Sequence, residues 1–186
     1  PLHNLENLIA ALGILTAPWG LAISPRRITV STVGLVPQMR ELLERTQVNL
    51  AVSLSATTEE SRRELMPVTR KYSLAELMDA CRELPVPRRR RITFEYVMLA
   101  GVNDADDDAR RLVKLLHGIR SKVNLICFNA FAGAGFDGSV AERRERFQRL
   151  LLDHGVNATI RDSRGPDIAA ACGQLAAQTE KRSAVR

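Results

Sequence analysis

Short apolar runs alternate with helical stretches along the whole 186-residue chain, and this alternation limits the folds open to it. The runs are rich in β-branched residues, as buried strands are. Each intervening stretch is long enough to hold the helix that a crossover between parallel strands requires. The predicted strands are residues 28–32, 48–54, 91–99, 122–129 and 157–162. The sequence therefore predicts an α/β fold with a parallel sheet.

The predicted helices occupy the stretches between these strands. Thr57 with Glu60, and Ser73 with Glu76, show the spacing of a capping box, which marks the start of a helix. The acidic run 104–108 suits the first turn of another helix, because the helix dipole is positive there. The predicted helices are residues 4–16, 36–46, a short one after Thr57, 74–84, 104–117, 139–153 and 167–180.

The pattern alone leaves two arrangements of the sheet open. Parallel strands joined by helices form either an open, doubly wound sheet or a barrel. A complete eightfold barrel takes about 250 residues, so this chain predicts a partial barrel or one that lacks its first strands. The chain also begins with Pro1 rather than methionine, which we interpret as a start inside a longer protein.

Composition excludes several classes of protein. Aromatic residues make up only 4% of the chain, which argues against a module that stacks RNA bases on aromatic side chains. The net charge of +6 suits an anionic partner, nucleic acid above all. Cys81, Cys127 and Cys172 are far apart, which fits neither a disulfide framework nor a complete metal site and indicates a reducing, cytoplasmic compartment. No apolar run is long enough to predict a membrane span.

Small polar residues follow several of the predicted strands. Ser31 ends the first strand, Ser53 and Ser55 end the second, and Asn129 ends the fourth. Ligands of parallel α/β folds bind at the carboxyl ends of the strands, so these residues are candidates for a binding site. A serine or asparagine at such a position equally often caps the following helix, and the pattern alone does not separate the two roles.

Six segments, in this order, resemble the radical S-adenosylmethionine RNA methyltransferases of the RlmN/Cfr type. The segments are residues 26–34, 50–56, 64–72, 94–104, 122–129 and 164–176. The resemblance implies a partial (βα) TIM-like radical-SAM barrel with parallel strands, of which the amino-terminal strands are missing. It assigns residues 1–135 to the barrel and residues 136–186 to a carboxyl-terminal extension that carries the methyl-carrier cysteine.

The same resemblance implies two cofactors, S-adenosylmethionine and one [4Fe–4S] cluster. The family's CxxxCxxC cluster motif and its GMGEP segment do not occur in this chain, and Pro1-Leu2 resembles the end of the second motif. We therefore expect no metal ligand in these residues, and no methylation by this chain alone.

The resemblance also assigns roles to individual residues. Ser31 matches a serine that contacts S-adenosylmethionine, and Asn129 matches an asparagine with the same role. Ser53, Leu54 and Ser55 match a cofactor-binding tripeptide that usually ends in histidine, so Ser55 departs from the family pattern. A second departure follows the fourth strand, where the family usually has WNPFPG and this chain has FNAFAG.

Cys172 matches the catalytic cysteine that is methylated and carries the transferred carbon. Such a carrier is needed because adenine C2 is electron-poor and is not a nucleophile, whereas a thiolate is one. Spacing alone predicts a different role, since Ile168, Cys172 and Leu175 share a helical face that would pack in a core. Cys81 and Cys127 are predicted to be core residues.

The function implied by the resemblance is methylation of adenine C2 in 23S ribosomal RNA and, in some family members, transfer RNA. It implies an electron donor for the cluster, no membrane, and a monomer when full-length. Three alternatives stay open: an adenine-C8 methyltransferase of the Cfr branch, another radical S-adenosylmethionine enzyme, and a non-enzymatic RNA-binding remnant. The run Arg88–Arg91 suits either RNA phosphates or a solvated loop.

Overall fold

Five parallel strands form one sheet in the computed structural model, which describes residues 1–130 and 135–161. The strands are β1 (Thr29–Thr32), β2 (Asn49–Ser53), β3 (Ile92–Met98), β4 (Ser121–Cys127) and β5 (Ala158–Arg161). Their order in the sheet is β1-β2-β3-β4-β5, and every neighbouring pair is parallel. Because this order never reverses, the sheet is a segment of a barrel wall and not a doubly wound sheet. The predicted partial barrel is confirmed.

Six α-helices connect or flank these strands in the described residues. They are α1 (Leu5–Thr16), α2 (Val36–Arg45), α3 (Glu59–Leu65), α4 (Leu74–Glu83), α5 (Asp106–Leu116) and α6 (Ala141–Asp153). One buried cluster combines apolar side chains of the helices, such as Met39, Leu77 and Leu112, with strand residues such as Phe94 and Leu125. Burial of this cluster is the main force that holds the helices on the sheet. No helix of residues 1–130 and 135–161 is both long and apolar enough to cross a membrane.

The two faces of the sheet differ in polarity, because side chains alternate along each strand. On β3, Phe94, Tyr96 and Met98 point into the buried cluster. Glu95 and Val97 lie on the opposite face and are half-buried. The neighbouring strands follow the same alternation, so the second face is lined largely by polar residues, which include Ser31, Ser53, Asn124 and Thr159.

The predicted strands and long helices agree with the observed ones to within about two residues, as is usual at element ends. The capping box at Ser73 and Glu76 is confirmed. The one predicted at Thr57 is wrong: Thr58 caps α3, while the Thr57 hydroxyl donates a hydrogen bond to Asp108 Oδ1 at 2.6 Å.

Two predictions concern the carboxyl-terminal part of the chain. The predicted helix at 167–180 lies outside the described residues. The division of the chain at residues 135 and 136 stays a prediction, and the sheet continues across it, since β5 pairs with β4.

Candidate cofactor site

The candidate site lies where the strands end. Ser31 is the penultimate residue of β1, Ser53 is the last residue of β2, and Asn129 follows the end of β4 by two residues. Because all strands of the sheet are parallel, their carboxyl ends lie along one edge, which we call the cofactor rim. The fold thus brings Ser31, Ser53 and Asn129 to the same edge, while their role in binding stays a prediction.

A row of polar side chains crosses the sheet beside this rim. Ser53, Glu95, Asn124 and Thr159 occupy paired positions on four neighbouring strands. The Ser31 hydroxyl lies 3.5 Å from Glu95 Oε2, so β1 joins the row. No ion pair of Glu95 occurs in the described part of the chain, and the Ser31 hydroxyl is the partner of its carboxylate there. Sequence reasoning missed Glu95, because Ser31, the partner of its carboxylate, lies 64 residues away in the chain.

Ser55 and Leu54 occupy different environments. The Ser55 hydroxyl accepts a hydrogen bond from the Val97 amide at 3.3 Å, and its backbone has a φ of 49°, a left-handed conformation that few non-glycine residues adopt. Leu54 is fully buried in the core, and its amide donates to the Glu95 carbonyl at 2.9 Å. Leu54 can therefore contribute to a binding site only through its backbone.

Asn103 fixes the shape of the rim between β2 and β3. Its side chain is buried and forms three hydrogen bonds. Nδ2 donates to the carbonyls of Ser55 and Val97, both at 2.8 Å, and Oδ1 accepts from the Leu99 amide at 2.7 Å. The Tyr96 hydroxyl donates to the Asn103 carbonyl at 2.8 Å. A fully satisfied buried network of this kind is rigid, so Asn103 positions Ser55 rather than contacting a ligand.

Arg62 fixes the ends of β1 and β2 from below the rim. Its guanidinium donates to the Val33 carbonyl at 2.9 Å, the Ser53 carbonyl at 3.4 Å and Thr69 Oγ1 at 2.8 Å. The residue is only 1% exposed, and burial lowers the pKa of its side chain from the ordinary value. Sequence reasoning missed Arg62, because an arginine pair on a short helix looks like a solvated surface.

Solved structures define the class of protein to which this fold belongs. The chain superimposes on a radical SAM methyltransferase from Sphaerobacter thermophilus with a TM-score of 0.88 and 46% identity, over 94% of this chain and 51% of that one. A domain of a pyruvate-formate lyase-activating enzyme from Bacteroides vulgatus shares the fold at a TM-score of 0.65 and 18% identity, over 87% of this chain and 93% of that one. The sheet therefore has the fold of these radical SAM proteins.

Curated relatives narrow the class. The chain is 59% identical over 175 residues to a dual-specificity RNA methyltransferase RlmN of Syntrophotalea carbinolica. The match covers 94% of this chain and 47% of that protein. It is 57% identical to the protein of the same name from Geobacter sulfurreducens, over 94% of this chain and 49% of that protein. Over 94% of its length the chain is similar to radical S-adenosylmethionine methyltransferases of the RlmN type. It spans about half the length of the curated relatives it matches. No family model matches it.

The two cofactors that this family implies fit the described residues differently. The hydroxyl of Ser31 and the carboxylate of Glu95 suit the ribose hydroxyls and the cationic sulfonium of S-adenosylmethionine, so the rim fits this cofactor. No group of three histidine, cysteine or acidic side chains that could hold a metal occurs in residues 1–130 and 135–161. These residues therefore do not fit an iron–sulfur cluster, and we derive no step through one.

Cys172, the predicted methyl carrier, lies outside the described residues, as do residues 131–134 of the loop after β4. The other two cysteines are placed. Cys81 is 3% exposed on α4, and burial raises the pKa of its thiol to about 12, so Cys81 is a core residue and not a nucleophile. Cys127 ends β4 and is half-buried.

Proposed function

We propose that this chain forms the part of an RNA methyltransferase that binds S-adenosylmethionine and carries the methyl-transferring cysteine. The proposed reaction is methylation of adenine C2 in 23S ribosomal RNA, with transfer RNA as a second substrate. The observation that carries this proposal is the 59% identity to a protein named dual-specificity RNA methyltransferase RlmN over 94% of the chain. At this identity the two proteins share their fold over the matched 175 residues.

The residues of this chain have separate tasks in the proposed reaction. Ser31, Ser53 and Asn129 bind S-adenosylmethionine at the rim, and Glu95 faces its ribose and sulfonium. When bound, this cofactor supplies the methyl group and the radical that activates it. Cys172 would act as the thiolate that accepts the methyl group of S-adenosylmethionine, with S-adenosylhomocysteine as the leaving group. The methylated sulfur then holds the carbon beside the adenine.

Several further properties follow from the proposal. The catalytic assembly needs a [4Fe–4S] cluster with ligands from residues other than those described, and an electron donor to reduce it. We place the enzyme in the cytoplasm, where its RNA substrates are, and expect it to act as a monomer. The dispersed cysteines support a reducing compartment.

A chimera tests the proposal. The amino-terminal half of the Syntrophotalea carbinolica relative is joined in front of Pro1, reconstituted with iron and sulfide without oxygen, and incubated with S-adenosylmethionine, a reductant and 23S RNA. We expect 2-methyladenosine in the digested RNA. Ser31→Ala should raise the KM for S-adenosylmethionine about tenfold, because the substitution removes one hydrogen bond between the Ser31 hydroxyl and this cofactor. Ser121→Ala is the matched control, since Ser121 starts β4 at the opposite end of the strands and donates to the Ile119 carbonyl.

The outcomes separate the alternatives. Methylation at adenine C8 would assign the chain to the Cfr branch, and RNA binding without any methylation would support the RNA-binding remnant. Equal KM values for Ser31→Ala, Ser121→Ala and the parent chimera would remove Ser31 from the cofactor site.

A further inference from the structure

A basic groove lies at the amino-terminal ends of the strands, opposite the cofactor rim. Its volume is about 570 Å³. Six cationic side chains line it, namely Arg26, Arg88, Arg89, Arg90, Arg91 and Lys122. They come from the segments in front of β1 and β3 and from the start of β4. No acidic and no aromatic side chain is among the lining residues, so the groove is built to attract anions and not to stack bases.

These six cations have no carboxylate partner in residues 1–130 and 135–161, a property they share with a few basic residues elsewhere, such as Arg27, Lys71 and Lys114. Eight arginines elsewhere in the described structure form ion pairs with aspartate or glutamate, namely Arg40, Arg45, Arg63, Arg82, Arg110, Arg111, Arg143 and Arg146. Four of the six groove cations are consecutive in the chain, so the groove gathers positive charge with no neutralising carboxylate among its lining residues. Like charges gathered without counter-charges raise the energy of the unbound state, and a bound polyanion relieves this repulsion.

The loop of residues 86–91, which carries four of the groove arginines, is held in place by arginine side chains that donate to backbone carbonyls. The Arg120 guanidinium donates to the carbonyls of Val86, at 2.8 Å, and Arg88. Arg90 donates to the Gln47 carbonyl and so ties the loop to the segment before β2. Three of the four consecutive arginines, Arg88, Arg89 and Arg91, form no side-chain hydrogen bond with the described residues and are exposed. The loop backbone is thus held by hydrogen bonds, while the guanidinium groups of Arg88, Arg89 and Arg91 are exposed to solvent.

We propose that this groove binds the phosphate backbone of RNA, as a contact surface separate from the cofactor rim. The inference rests on the proposed function for the identity of the polyanion. Guanidinium groups bind phosphate oxygens in a bidentate manner, and the lack of aromatic side chains makes the contact independent of base sequence. A strand of seven residues such as β4 is roughly 23 Å long, so the groove and the cofactor rim are separated by about the length of a strand.

The test is RNA affinity of the 186-residue chain, measured by fluorescence anisotropy with a labelled RNA hairpin over a series of salt concentrations. In the triple variant Arg88→Gln, Arg89→Gln, Arg91→Gln, we expect affinity at low salt to fall by about tenfold or more. The slope of log K against log salt should become shallower by about 2, because three phosphate contacts are lost. The matched control is Arg40→Gln, Arg63→Gln, Arg110→Gln, which removes the same charge from ion-paired arginines on three helices and should change affinity less than twofold.

Circular dichroism of both triple variants confirms that each is folded. Equal loss of affinity in the two variants would overturn the proposal, since net charge and not the groove would then hold the RNA. Binding of phosphatidylserine vesicles in place of the hairpin would overturn it as well. The assay needs neither cofactor nor methylation. If the chimera methylates RNA but the groove triple variant binds the hairpin as tightly as the parent chain, the groove proposal is rejected and the proposed function stands. If binding depends on the groove but the chimera does not methylate RNA, the proposed function is rejected and the groove proposal stands.

Discussion

At the scale of single residues, the Arg62 guanidinium holds the ends of β1 and β2 beside the candidate rim by donating to the carbonyls of Val33 and Ser53. Ser31, Ser53 and Asn129 were predictable because each stands at the end of an apolar run, and parallel strands end at one edge. Glu95 and Arg62 were not, because their importance depends on neighbours far along the chain. Arg62 lies on a short helix that looks solvated in sequence, yet its guanidinium reaches the Val33 carbonyl 29 residues away.

Cys81 gives a prediction at this scale. The core position that its helical face predicted is confirmed, and burial raises the pKa of its thiol to about 12, against 9.0 for an ordinary cysteine. Alkylation requires the thiolate. In the folded chain at pH 8, we therefore expect iodoacetamide to label Cys81 far more slowly than in the chain unfolded by guanidinium, as measured by peptide mass spectrometry. Labelling of Cys81 at the same rate in both states would show that the thiol is accessible and ionised.

At the scale of helices and strands, the sequence predicts a helix cap correctly where the capping side chain and its partner are close in the chain. The capping box of α4 joins Ser73 and Glu76, which are three residues apart, and spacing suffices to find it. Thr57 has the same spacing to Glu60, but its hydroxyl donates to Asp108, and the helix is capped one residue later, by Thr58. A tertiary partner 51 residues away had replaced the local one, and no local pattern could show this.

The capping box gives a prediction for α4. Ser73 Oγ accepts from the Glu76 amide at 3.2 Å, and Glu76 Oε2 accepts from the Ser73 amide at 2.8 Å. Ser73→Ala should lower the free energy of unfolding of the chain by about 1 kcal/mol, because it leaves a helix amide without its partner. Urea unfolding followed by circular dichroism measures the change. Ser24→Ala is the control, since the Ser24 side chain caps nothing, and should change stability by less than about 0.5 kcal/mol.

The effect of Ser73→Ala should depend on pH. Hydrogen bonds from the Ser73 amide and hydroxyl lower the pKa of Glu76 below 4.5. A carboxyl whose pKa is lower in the folded than in the unfolded state stabilises the fold above its unfolded pKa, and this stabilisation is lost as pH falls through the folded value. The stability difference between the parent and Ser73→Ala should therefore be larger at pH 7 than at pH 3. A difference that grows as pH falls would contradict the observed bonds.

At the scale of the whole molecule, the alternation of strands and helices predicted a parallel sheet, but not its closure. Periodicity left the doubly wound sheet and the barrel open, and only the spatial order β1-β2-β3-β4-β5 decides between them. The distribution of charge is also a property of the whole molecule. A net charge of +6 was visible in the composition, whereas only the folded chain shows that Arg26, Lys122 and residues 88–91 line one groove without a carboxylate.

The central claim is that this chain carries the methyl-transferring cysteine of an RNA methyltransferase, and the chemical state of Cys172 tests it most directly. The chimera with the amino-terminal half of the Syntrophotalea carbinolica relative is purified from cells, digested, and examined by peptide mass spectrometry. We predict an added methyl group on the peptide that contains Cys172 and none on the peptide that contains Cys81. We also predict that Cys172→Ala abolishes RNA methylation while Cys81→Ala retains it. An unmodified Cys172 together with full activity of Cys172→Ala would contradict the account.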